Sequence, residues 1–243
     1  MAVPPYMHPF VVAVEPAERH RQGNIDVHTA RGPAGVPRPV VVFVHGGPLP
    51  AEVEPTPRDW PVFLGYGALA AASGVVGVTL DHRLHSVADY SIAAQDVASA
   101  VERARGLEGV DPDRVGLWFF SGGGLLAADW LAAPPSWLRC VAMTYPVLAP
   151  PPGWDIEARF DPVAAVSTAP KLPIVLTRVG HEYPDFARTQ DAFVDAARAN
   201  GVALEVVEVP GGQHGFDSLD HTEESRVAVA QAMTWVAGAL RER

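Results

Sequence analysis

Six short runs of β-branched and aliphatic residues constrain this chain most. They are Pro39–His45 (PVVVFVH), Val75–Asp81 (VVGVTLD), Arg114–Phe120 (RVGLWFF), Arg139–Tyr145 (RCVAMTY), Leu172–Val179 (LPIVLTRV) and Ala203–Val209 (ALEVVEV). A strand that is apolar on both faces has to be covered on both faces, and parallel sheets have that property. Between and after these runs lie helical stretches at Trp60–Ala72, Ser91–Arg105, Gly122–Leu131, Phe186–Asn200 and Glu223–Leu240. In the second of these, Ile92, Ala93, Val97 and Val101 share one face. In the last, Val227, Met233, Val236 and Leu240 are expected to point inward. Gly74, Gly106 and Gly201 serve as helix stops. Strand–helix alternation of this kind predicts an α/β fold: a mostly parallel central sheet flanked by helices on both faces. Two earlier and more polar stretches, Phe10–Glu15 and Asn24–Thr29, fit an antiparallel edge. The alternation has no break, so residues 1–243 are read as a single domain.

Composition removes several functions. The net charge is −10 and no basic cluster exists, which argues against a nucleic-acid partner. The single cysteine, Cys140, excludes an internal disulfide and a cysteine zinc cluster, and its place in an apolar run makes it a small hydrophobe. Lys171 is the only lysine among 18 basic residues, and it lacks the context of a phosphate loop or a Schiff base. The longest mostly apolar run, Gly65–Leu80, is broken by glycines and too short to span a bilayer. Met1–Phe10 holds no Lys or Arg, unlike the charged front of a secretory signal. The expectation is a cytoplasmic protein with no membrane partner.

In an open parallel sheet, chemistry collects at the carboxyl ends of the strands. His45-Gly46-Gly47-Pro48 follows the first run, and Ser121-Gly122-Gly123-Gly124 follows the third. Gly180-His181-Glu182 and Gly211-Gly212-Gln213-His214-Gly215-Phe216 follow the last two. A serine, an acid and a histidine thus fall at strand ends in the order Ser121, Glu182, His214. Asp185, three residues beyond Glu182, stands as an alternative acid.

These segments (HGGP, DPDRVGLWFFSGGG and GGQHGF) resemble the α/β-hydrolase fold family, nearest to dienelactone-hydrolase-like proteins and esterases with an HGG motif. The resemblance implies a nucleophile at Ser121, a base at His214 and an orienting acid at Glu182. It also implies an oxyanion hole from the N–H groups of Gly47 and Gly122. The implied activity is hydrolysis of a small carboxylic ester, lactone or thioester through an acyl-enzyme, with no cofactor and no metal. Acyl transfer, a cyclisation, or ligand binding on a catalytically impaired fold remain as alternatives. The partner is a small-molecule substrate, and a homodimer is left open.

Two departures from the family pattern stand out. Pro48 has no N–H where the related HGGG pattern offers a third donor. Phe119 occupies the position two before the serine, which is normally small, so a displaced helix start and a shifted elbow are expected. Asp81, His82 and His85 form a D-H-x-x-H cluster that reads better as a packed loop than as a metal site. His45 is read as a brace for the oxyanion loop. With little chain left for a cap, Leu49–Trp60 and Pro146–Phe160, including Trp154, are the expected pocket walls. Glu52, Glu54 and Asp59 make the first of these loops acidic.

Overall fold

A computed structural model describes residues 3–31, 35–169 and 171–242. The outermost residues of the 1–243 reading, 1, 2 and 243, lie outside the described residues.

Among the described residues, eight strands form one sheet in the order β1-β2-β4-β3-β5-β6-β7-β8. They are β1 (Glu18–Gln22), β2 (Ile25–Thr29), β3 (Arg38–Val44), β4 (Val76–Leu80), β5 (Val110–Phe120), β6 (Leu138–Thr144), β7 (Ile174–His181) and β8 (Leu204–Gln213). The six apolar runs are β3 to β8, and every pairing among them is parallel. Strand β2 runs antiparallel to both of its neighbours, which gives the expected antiparallel edge.

The first edge strand lies elsewhere than expected. Phe10–Glu15 is irregular, and the strand is Glu18–Gln22, exposed at every residue. Pro9 and Pro16 bracket the apolar stretch, and proline cannot donate to a ladder. Phe10 and Val11 instead pack as a side cover: the Phe10 ring lies 4.8 Å from Tyr66, and the Val11 N–H donates to Asp217 O.

Single turns α4 (Pro162–Ala165) and α6 (Phe216–Leu219) lie in the connections, and helices α1 (Pro61–Ala72) and α7 (Glu223–Ala239) cover one face of the sheet. Helices α2 (Tyr90–Arg105), α3 (Ala127–Ala132) and α5 (Pro184–Ala199) cover the other. Strand β5 shows the logic: Leu117 and Phe119 join the α2–α3–α5 core, while Trp118 and Phe120 join the α1–α7 core. Two inward expectations fail. Ile92 and Val227 are exposed, at 37% and 53%, because the buried face of one helix runs through Ala93, Val97 and Ala100 and that of the other through Ala228, Ala232 and Val236. Among the described residues, no helix is long and apolar enough to cross a membrane.

The chain visits β4 on one side of β3 and then returns to β5 on the other. That reversal opens a crevice at the carboxyl ends of β3 and β5, where an open α/β sheet places its ligands.

Candidate active site

Strand β5 delivers Ser121 into this crevice. Its φ of 50° is one of only two positive values at non-glycine residues among those described. Such strain costs of order 1–3 kcal/mol and persists where the surroundings enforce it. The chain then winds as a 3₁₀ helix over Ser121–Leu126 before α3 begins. Phe119 is fully buried in one apolar cluster with Leu125, Leu126 and Ala127.

The three glycines allow the close approach that follows. A Cβ on Gly122 would fall 1.8 Å from Gly47 O, one on Gly123 2.4 Å from His45 O, and one on Gly124 2.6 Å from Val147 O. No side chain fits at any of them. The 3₁₀ helix start therefore docks directly on the 45–47 loop. Gly122 is its second residue, so its N–H has no intrahelical acceptor. Tyr90 of α2 holds the Gly122 carbonyl from behind at 2.9 Å.

Strands β7 and β8 bring the other two residues together. Their register pairs His181 with Gln213, which sets the next residues, Glu182 and His214, side by side. The Ser121 hydroxyl lies 2.7 Å from His214 Nε2. The His214 Nδ1–H donates to Glu182 Oε1 at 2.8 Å and to Oε2 at 3.1 Å. The Glu182 side chain is only 2% exposed. It also accepts from the Tyr183 N–H at 2.8 Å and from Gln190 Nε2 at 3.3 Å. Asp185 takes no part: it sits in the first turn of α5 and pairs with Arg188.

The 45–47 loop is braced by two stacked imidazoles. The rings of His45 and His82 lie 3.7 Å apart and nearly parallel. His45 Nδ1–H donates to Gly46 O at 2.6 Å, and His82 Nε2–H donates to His45 O at 3.0 Å. Burial holds the His45 imidazole well below its usual pKa and pushes His82 down to about 4, so both are neutral at physiological pH. The D-H-x-x-H cluster is divided among three jobs. Asp81 binds Arg58, His82 stacks on His45, and His85 Nδ1 meets Leu49 O.

A cavity of about 290 Å³ opens beside Ser121 and His214. Its walls include Tyr6, Pro48, Trp60, Phe63, Phe120, Tyr145 and Leu219. The expected first wall is thus present, but the second is not. Trp154 lies on the opposite side of the sheet, in the core with Tyr90 and Phe160. The acidic character is absent too. Glu52 and Glu54 are exposed outside the cavity, and Asp59 pairs with Arg19 and Arg21.

One feature of the site was missing from the sequence reading. Asp217 is fully buried at the cavity edge. Tyr145 donates to its Oδ1 at 2.8 Å and to Oδ2 at 2.9 Å, and Tyr66 donates to Oδ2 at 3.0 Å. Burial raises Asp217 to about 6 against the pull of these bonds. Tyr145 has the second positive φ, 37°, and its ring centroid lies 4.7 Å from that of His214. The available signal was an acid inside the otherwise apolar GFDSL segment.

No protein-family model matches the chain, and no curated protein matches it by sequence. Solved structures do match. EstE1, a thermophilic and thermostable carboxylesterase cloned from a metagenomic library, is 20% identical with a TM-score of 0.73; the match covers 96% of this chain and 92% of that one. A thermostable esterase from Pseudomonas putida is 18% identical with a TM-score of 0.74, over 100% and 86% of the two chains. Thermogutta terrifontis esterase 2, solved phosphonylated by cyclosarin, is 18% identical with a TM-score of 0.64, over 92% and 90%. At these identities the likeness is one of fold, and the fold is that of the α/β-hydrolases.

Proposed function

We propose that the chain is a serine hydrolase that cleaves a small carboxylic ester, lactone or thioester through an acyl-enzyme. The observation that carries this reading is the continuous Ser121–His214–Glu182 hydrogen-bond chain at the mouth of a cavity. In the proposed cycle, His214 Nε2 takes the Ser121 proton as Oγ bonds to the substrate carbonyl carbon. Glu182 fixes the tautomer through Nδ1–H and stabilises the imidazolium. The backbone N–H groups of Gly47 and Gly122 face the developing oxyanion. The bond to the leaving group then breaks, and the imidazolium returns its proton to that group. Water enters, gives its proton to His214 and attacks the acyl carbon. Collapse of the second tetrahedral intermediate restores the Ser121 hydroxyl and releases the acid. A different acceptor in place of water turns the same cycle into acyl transfer.

The resemblance of fold to carboxylesterases supports the ester as substrate class. Phe119 is accommodated in the core and the Ser121–His214 contact is 2.7 Å, which supports hydrolysis over the impaired-fold alternative. A fluorophosphonate probe tests the reading, because it needs an activated serine. Labelling is expected at Ser121 and should vanish in Ser121→Ala, together with roughly a millionfold of kcat on any ester cleaved. Folded protein that stays unlabelled and cleaves no ester would refute it.

A further inference from the structure

The N-terminal segment is tied over the cavity by three contacts. The Tyr6 ring stacks on Trp60 with centroids 4.6 Å apart and planes 23° apart. Phe10 packs on Tyr66, and the Val11 N–H donates to Asp217 O at 2.9 Å. Trp60 is itself held, since its indole N–H donates to Pro55 O at 2.8 Å and its ring meets Phe63. Two stacked aromatic rings, one of them held on its other side by Pro55 O and Phe63, therefore line the cavity.

The lining determines what fits. Among the described residues, and apart from the reacting Ser121 and His214, the ionisable groups bordering the cavity are Tyr6, Tyr145 and Asp217. Asp217 is inaccessible and its oxygens are taken by Tyr66 and Tyr145. A buried carboxylate repels an anionic group, and among the described lining residues no carboxylate is left free for a cationic one. The remaining described walls are Pro, Leu, Val, aromatic rings, three glycines and Ser218, whose hydroxyl donates to Gly215 O. The volume sets a length. At roughly 30 Å³ per water-sized atom, about ten non-hydrogen atoms fill it. That places the cavity at the small end of ligand sites.

We propose that this cavity is the acyl pocket, that it takes short uncharged aliphatic or single-ring acyl groups, and that the Tyr6–Trp60 stack sets the length limit. The proposal rests on the acyl-enzyme reading above. Tyr6 belongs to a short 3₁₀ turn, Pro5–Met7, and is only partly buried, so its removal spares the core.

The test uses p-nitrophenyl esters of graded acyl length and, separately, acetate esters of graded alcohol length. The full chain should lose kcat/KM between the hexanoate and decanoate esters. Tyr6→Ala should raise the decanoate-to-acetate ratio of kcat/KM by tenfold or more. Tyr6→Phe keeps the stack and should keep the wild-type ratio. If Tyr6→Ala leaves the ratio unchanged in an enzyme that cleaves esters, the length-limit assignment is overturned while the functional reading stands. If the ratio moves only with alcohol length, the cavity is the leaving-group pocket and the acyl assignment is overturned. If the wild type cleaves no ester and Ser121 resists the fluorophosphonate, both readings fall together.

Discussion

Three buried histidines make the fold sensitive to mild acid, and the effect can be sized. Burial pushes His28 and His82 down to about 4, and it lowers His45 further in the same direction. In the unfolded chain a histidine titrates near 6.5. Between these values the unfolded state binds more protons, so stability falls as pH falls. For folded and unfolded values of about 4 and 6.5, lowering pH from 7 to 5 costs about 2 kcal/mol for each of His28 and His82. Asp217 acts in the opposite sense. Its carboxyl is raised to about 6, so the folded state binds the extra proton and regains about 1 kcal/mol over the same interval. Paired carboxylates such as Asp59 and Asp96 are held below the ordinary range and titrate beneath this window. The net loss is about 3 kcal/mol before His45 is counted, a large part of the 5–15 kcal/mol typical of a domain. Urea unfolding at pH 7 and pH 5 measures it directly, as a shift in midpoint at constant m. His28 offers the clean perturbation, because it lies on β2 away from Ser121, with Nε2 3.2 Å from Thr79 Oγ1. His28→Gln keeps a polar group near Thr79 and removes the titration. The difference between pH 7 and pH 5 should shrink by about 2 kcal/mol, the share of His28. An unchanged difference in the variant would refute the assignment of the acid sensitivity to buried imidazoles.

Two further predictions concern the site. Glu182→Gln should lower kcat by a factor of roughly 10³–10⁴ while Asp185→Asn leaves it within twofold; steady-state rates on one activated ester distinguish the two acids. Gly122→Ala forces a Cβ to 1.8 Å from Gly47 O, so the 45–47 loop must move; loss of fluorophosphonate labelling with a cooperative thermal transition retained is the expected result.

What the sequence disclosed divides along physical lines. Strands buried on both faces write their position as continuous apolar runs, and β3 to β8 were legible for that reason. Residues at their carboxyl ends were legible with them, which is how Ser121, Glu182 and His214 could be set in order. Strand β1 was hidden because ERHRQ has no buried face. Its place comes from the ladder to β2 and from ion pairs of Arg19 and Arg21 with the buried Asp26. The pocket walls were hidden for a different reason. Whether Trp60 or Trp154 faces the cavity depends on the side of the sheet its loop crosses, and composition holds no information about that side.

The Tyr66–Asp217–Tyr145 cluster shows why an irregular site can still hold a regular bond. A fully buried carboxylate is costly unless its oxygens are satisfied. Here two hydroxyls do so, that of Tyr145 shared between both oxygens and that of Tyr66 given to Oδ2, and the donors come from the turn after β6 and from α1. Asp217 itself lies three residues beyond His214. The loop carrying the imidazole is therefore pinned at one end by β8 and at the other by a carboxylate clamped between two tyrosines. Tyr145 lays its ring against the same imidazole. The imidazole so held meets the Ser121 hydroxyl at 2.7 Å, although both Ser121 and Tyr145 carry a positive φ.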